Sequence, residues 1–232
     1  MDDPQLKKVK DHEFYTLIVL TLAKDFQKSP KPSHTTYLQA VHRKMVAALN
    51  TLHTLQIARI LIAEQHPAVK GTKSHVKPAD FLRYNVENYF LRITAYNDVV
   101  LQLINEVYEW GIKNDLSFYK KIKAKAKADQ NKDVLLMISS LDNLMKSIKP
   151  KRNKIAHEGS LATDIIFLEA ADYLAETIPN TNIDQADRDL FFAKIVYDNI
   201  KEMTQIEQDI ATNLLAVMDL LWPVFKQTLN QK

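Results

Sequence analysis

Tyr89, Ile93, Tyr96, Val100, Leu103 and Val107 recur at alternating steps of four and three residues. That spacing returns to one face of an α-helix at every turn. A stripe this long predicts a helix packed along its whole extent, from roughly Pro78, which suits a first turn, to Trp110, with Gly111 at its end. Glycine constrains the rest, because the 232 residues include only Gly71, Gly111 and Gly159. Phosphate-cradling loops and tight hairpins use glycine for positive φ or close approach. A P-loop, a dinucleotide-binding fold and a hairpin-rich sheet therefore all lose ground. The expectation is an all-α protein.

Helical spacing extends beyond that stripe. A second long helix is expected over roughly 35–65, stopped by Pro67, and a first over roughly 11–27, stopped by Pro30 and Pro32. Ile206, Ile210, Leu214, Val217 and Leu221 mark an amphipathic helix near the C-terminus, which Pro223 kinks or ends. Loops are expected at roughly 28–33, 67–77, 129–132 and 179–184. A chain of this length can bury a substantial core, and the expected organisation is a single all-α domain over residues 1–232.

Hydrophobic residues at 46% and charged residues at 25% belong to a folded chain, not a disordered one. A formal net charge of +3 permits a local basic patch without announcing a nucleic-acid-binding protein. With no cysteine there are no disulfides and no thiolate-ligated zinc or iron–sulfur site, which fits a cytoplasmic location. The apolar run from Leu17 to Ala23 is shorter than the about 20 residues a bilayer requires. It lies between acidic residues and Lys24-Asp25, with no small-residue cleavage pattern, so neither a membrane span nor a signal peptide is expected.

Lys120, Lys121, Lys123, Lys125 and Lys127 stand mostly at steps of two, about 200° apart on a helix. Lysines so placed surround the helix, whose end is expected to project into solvent, and Lys121 and Lys125 become candidates for contact with an RNA backbone. His-Glu-x-x-His, calcium-loop and Gly-x-Ser-x-Gly signatures are absent. The histidines His12, His34, His42, His53, His66 and His75 are scattered. His42 and Arg43 sit on a helix without an acidic partner at metal-ligand spacing. No metal and no cofactor is expected.

The stretch from Lys149 to Gly159, KPKRNKIAHEG, departs from ordinary packing. Pro150 can start a short helix and Gly159 can end it. Asn153 and His157, four apart, share a face, and Arg152 lies about 140° round from His157. A permanent cation, an amide and the side chain that titrates near neutrality thus fall within about two turns. Two readings stay open on the residues alone. Arg152 and Asn153 could bond helix ends at an interface with His157 packed between them, or the three could form part of an active site.

Arg152-Asn153-Lys154-Ile155-Ala156-His157 resembles the motif of the HEPN superfamily: Arg, four to six residues, then His, with a polar residue directly after Arg. Arg59 and His66 match the bare spacing too, but apolar Ile60, Leu61, Ile62 and Ala63 lie between them and no polar residue follows the Arg. The resemblance implies an antiparallel helical bundle with a core of roughly 35–175. The helix at roughly 11–27 and helices over roughly 184–229 would be additions. It further implies a metal-independent ribonuclease acting at a composite site of a homodimer, in a toxin–antitoxin or phage-defence setting, with an antitoxin or defence protein as a partner. Arg152, His157 and Asn153 would be catalytic, and Lys151 and Lys154 would join Lys121 and Lys125 in contacting RNA. Other HEPN proteins are non-catalytic, so the alternative is an α-helical interaction or RNA-binding module. HEPN toxins controlled by a nucleotidyltransferase often carry Tyr two residues after the His. Here that position is Gly159, preceded by Glu158, which speaks against that subtype but not against ribonuclease activity.

Overall fold

Helical spacing across so much of a chain asks each backbone N–H to find the carbonyl four residues earlier, and the fold follows from that demand. The computed structural model describes residues 4–30, 32–64, 78–158 and 185–232. Those residues form seven helices and no strand: α1 (Pro4–Lys10), α2 (Glu13–Asp25), α3 (Thr35–Ala63), α4 (Pro78–Val107), α5 (Phe118–Ala128), α6 (Lys132–Glu158) and α7 (Gln185–Gln231). The protein is all-α. All six members of the Tyr89–Val107 stripe are fully buried, so the three-four periodicity did mark an inward face of α4. The loops expected at roughly 67–77 and 179–184 lie outside the described residues.

Several boundaries differ from the expectations, each for a local reason. Pro150 does not start a helix; it lies inside α6, which began at Lys132. Its ring nitrogen has no proton, so the Lys146 carbonyl loses its helical donor and the helix continues past it. Pro223 likewise lies inside α7, a single helix of 47 residues. There Trp222 and Phe225 both pack against Phe14, the latter edge-on at 4.9 Å between ring centroids, so tertiary contacts hold the turn that proline weakens.

α4 ends before Gly111. Trp110 N–H donates to Asn105 O (3.1 Å) and Glu109 N–H to Glu106 O (3.2 Å), with Glu109 at φ +52°. That is a Schellman closure with glutamate in the left-handed position usually given to glycine. Gly111, at φ +64°, serves the next turn, where the Asn105 side chain bonds both the N–H and the carbonyl of Ile112 (3.0 and 3.3 Å). The end of α5 repeats the device with Gln130 at φ +53°: Asn131 N–H reaches Ala126 O and Gln130 N–H reaches Lys127 O. The short α1 was not expected, although Pro4 at its start and the buried pair Leu6 and Val9 were signals for it.

α5 also corrects the reading of its lysines. Phe118, Ile122 and Ala126, spaced by four, are buried. A narrow apolar stripe thus fits between the charged positions, and the helix packs along one face instead of standing free.

The described residues divide into two compact units, and α3, α4, α6 and α7 each contribute a segment to both. The first unit comprises residues 1–53, 94–146 and 208–232. Its α3 and α4 segments run antiparallel, since Tyr37 Oη donates to Val107 O (3.1 Å) and Lys44 Nζ to Gln102 Oε1 (2.6 Å). One amide sits deep within it: Asn213 accepts from Tyr96 Oη at 2.9 Å and donates to Ser140 Oγ at 3.2 Å, tying α4, α6 and α7. A buried carboxylate closes the α2–α3 connection, where Asp25 accepts from His34 Nε2 (2.8 Å), Thr35 Oγ1 (3.1 Å) and Lys28 Nζ (3.2 Å). By length and composition α3 could cross a bilayer. Leu38, Val41, Met45 and Leu52 are nevertheless wholly buried, so much of its apolarity goes into the protein core.

The second unit comprises residues 54–93 and 147–207. Leu55, Ile62, Leu82, Tyr89, Phe90, Ile93, Ile148 and Met203 are among its buried apolar residues. It carries the motif segment.

Candidate active site

In the second half of α6, Ile148, Lys151 and Ile155 recur at steps of three and four and make the inward stripe. Ile148 and Ile155 are buried and Lys151 half-buried. Lys151 is an anchor. Its ammonium bonds both carboxylate oxygens of Glu202 on α7 and lies 4.8 Å from the centroid of the Phe90 ring, a cation–π contact. A charge held between a carboxylate and an aromatic face fixes the rotation of α6 about its axis at the residue beside the motif.

The next two positions therefore turn outward. Arg152 and Asn153 are exposed, and Arg152 Nη1 donates to Asn153 Oδ1 at 3.2 Å. No carboxylate pairs with Arg152 among the described residues. The guanidinium keeps most of its donors for an incoming anion, while the neighbouring amide restrains its direction. The backbone of His157 belongs to α6, one turn beyond Asn153. Its side chain, with that of Glu158 and the whole of Gly159, lies outside the described residues.

The four candidate RNA-contacting lysines are all engaged. Lys151 is bound to Glu202, and Lys154 is half-buried with a partner of its own. On α5, in the first unit, Lys121 pairs with Asp115 at 2.5 Å and Lys125 with Asp129 at 2.8 Å. The Asp115 carboxyl is pulled down to about 2, first by the Lys121 hydrogen bond and then by those of Ser117. The two α5 pairs are solvent-screened surface contacts, so a phosphate could displace either carboxylate at small cost.

Arg59, the motif's look-alike on α3, has a different task. Its Nε donates to Glu207 Oε2 at 2.9 Å, and the Glu207 side chain is only 6% exposed. Tyr89 stands at the same place, its hydroxyl donating to Met203 O at 2.8 Å. Burial, then the Glu207 charge, push its phenol well above the usual tyrosine range, and Arg59 offsets part of the shift. His66 lies outside the described residues. The acids that decide which cations stay bound, Glu202 and Glu207, went unremarked in the sequence; Glu207 follows Ile206 of the α7 apolar stripe, and Glu202 precedes the buried Met203. Among the described residues no cluster of three His, Asp or Glu side chains is grouped to hold a metal ion.

A family model described as Cthe2314-like HEPN matches residues 59–228, a span covering well over half of the chain. The span begins in α3, takes in the Arg152–His157 segment and extends through most of α7. Comparison with the curated proteins and with the solved structures gives no match.

Proposed function

The chain belongs to the Cthe2314-like HEPN family, and on that premise we propose that it is a metal-independent endoribonuclease whose site includes Arg152, Asn153 and His157. The observation that carries this reading is the contrast between neighbours. Lys151 is sequestered by Glu202, whereas Arg152 is exposed, without a carboxylate partner among the described residues, and steadied by Asn153. A structural arginine at this position would be expected to find a buried carboxylate, as Arg59 does.

RNA carries its own nucleophile. The 2′-oxygen attacks the adjacent phosphorus, the bond from phosphorus to the 5′-oxygen breaks, and the products are a 2′,3′-cyclic phosphate and a 5′-hydroxyl. A proton leaves the 2′-hydroxyl and one must reach the departing 5′-oxygen. Imidazole, with an ordinary pKa of about 6.5, moves protons well at neutral pH, and that role falls to His157. The guanidinium of Arg152 holds the non-bridging oxygens as charge accumulates on them, and Asn153 orients it. A single motif supplies one proton carrier where the reaction uses two. A two-fold homodimer bringing two motifs together would supply both, and two-fold dimers are the commonest oligomers. We place the protein in the cytoplasm, in a toxin–antitoxin or defence setting with RNA as substrate.

The test is cleavage of labelled RNA in EDTA by wild type beside His157→Ala and Arg152→Ala. Cleavage that survives EDTA and falls in both variants supports the reading. Equal cleavage by wild type and His157→Ala assigns the activity to a contaminant and leaves a non-catalytic interaction module.

A further inference from the structure

Within the first unit, α2 and α3 leave between them an open cleft of about 450 Å³. Its walls are apolar: Val19, Leu22 and Phe26, one face of α2 at steps of three and four, with Phe26 61% exposed. Three polar side chains of α3 border it, Gln39, His42 and Arg43. None of these three has a hydrogen-bond or ion-pair partner among the described residues. His42 is held by stacking on Tyr15, 6.3 Å between centroids, and burial lowers its pKa, so it is neutral at neutral pH.

Half-buried polar groups ordinarily find partners within the fold. Here the half-buried Gln39 amide and the half-buried neutral His42 imidazole remain without one, beside the exposed Arg43 guanidinium, at the margin of an apolar surface. The volume falls in the range of small-molecule sites, which combine apolar walls with a few convergent polar groups. Charge decides the class of occupant. Arg43 is a permanent cation and Gln39 offers amide donors, while no acidic side chain borders the cleft. The polar groups stand together on the α3 side and the α2 wall is wholly apolar, an arrangement that suits a ligand with one polar end.

We propose that this cleft binds a small amphipathic carboxylate, its aliphatic or aromatic body against Val19, Leu22 and Phe26 and its carboxylate on Arg43 and Gln39. The site is separate from the Arg152 motif and independent of the ribonuclease reading. His42 and Arg43 lack an acidic neighbour for a metal, and that same lack suits them to an anion.

Isothermal titration of the full chain with decanoate, decylamine and adenosine monophosphate tests the proposal. Decanoate is expected to bind one-to-one with a Kd below about 1 mM, and decylamine at least about tenfold more weakly. Arg43→Gln, at an exposed position, should weaken decanoate about tenfold without moving the melting temperature. Val19→Asp should abolish binding by placing a charge against the apolar body. Equal affinity for decanoate and decylamine would reduce the cleft to a non-specific apolar surface and overturn the proposal. Unchanged affinity in Arg43→Gln would do the same, and tighter binding of adenosine monophosphate than of decanoate would reassign the cleft to nucleotides.

Discussion

Replacing Arg59 with alanine should damage the fold and not the chemistry, and the size of the damage can be worked out. Two unit charges 2.9 Å apart attract by roughly 6 kcal/mol at an effective dielectric of about 20. Removing both ions from water consumes most of that attraction, so the intact pair contributes little net stability. Removing one partner is another matter. Glu207 would stay buried with its desolvation uncompensated, a loss of about 3–5 kcal/mol. The lower end is expected, because the nearby Tyr89 hydroxyl can share some of the charge. Urea denaturation followed by circular dichroism measures the loss directly. Arg59→Met combined with Glu207→Met, which removes both charges and keeps volume, should return to within about 1 kcal/mol of wild type. Acidity supplies a second check. Without Arg59, the folded-state pKa of Glu207 should rise above its unfolded value of about 4.3. A raised pKa favours the protonated folded form, so the deficit should be greatest at neutral pH and shrink as pH falls through the raised value. A loss under about 1 kcal/mol for Arg59→Ala, with no dependence on pH, would refute the assignment of Arg59 as the counter-ion that Glu207 requires.

The motif variants should show the opposite behaviour, losing rate with unchanged urea midpoints. His157→Ala should cost about 10²–10⁴-fold in RNA cleavage, and Arg152→Ala about 2.7–4 kcal/mol of transition-state stabilisation, only partly restored by Arg152→Lys. Mixing the two alanine variants should restore partial activity if one site draws its Arg and His from different protomers. Gln130→Gly should raise stability by about 0.5–1 kcal/mol in urea, since glycine takes the left-handed conformation that glutamine holds under strain; Gln130→Ala should not. Burial raises the pKa of Asp25, but hydrogen bonds from Lys28, Thr35 and His34 outweigh it and leave the carboxyl below its ordinary value. The stability it confers should be present above about pH 4 and fade as pH falls through the depressed value, an acid limb that Asp25→Asn should flatten in thermal melts.

The helices were legible where a single periodicity ran unbroken. Tyr89 to Val107 announced α4 because each step kept to one face. Pro150 misled because proline is commonest in a first turn, and only the apolar positions upstream, Val134 to Ile148, tell that the helix is already under way. The lysines of α5 hid a stripe of three residues because charge at every second position draws attention from apolar residues at every fourth. Glu109 and Gln130 could not be recognised as helix closures, since nothing in their chemistry prefers positive φ. In the motif, composition identified Arg152 and Asn153 but gave no hint that Lys151 would be held by Glu202, 51 positions away. Ion pairs across such distances depend on packing and leave no local signature.

Asn213 has a meaning beyond the bonds it makes. The apolar stripe of α7 repeats so regularly that sliding it by one turn, about 5.4 Å, would set leucine, isoleucine and valine against equivalent neighbours at little cost. The aliphatic positions of that stripe, taken alone, discriminate little between such alignments. Asn213 does, because only one alignment puts Tyr96 and Ser140 within its reach. Any other would bury an amide with nothing to bond, at about 1–3 kcal/mol. It acts as the index mark on a sliding scale: it adds little to how tightly these helices hold, and it selects which of several similar alignments they hold in.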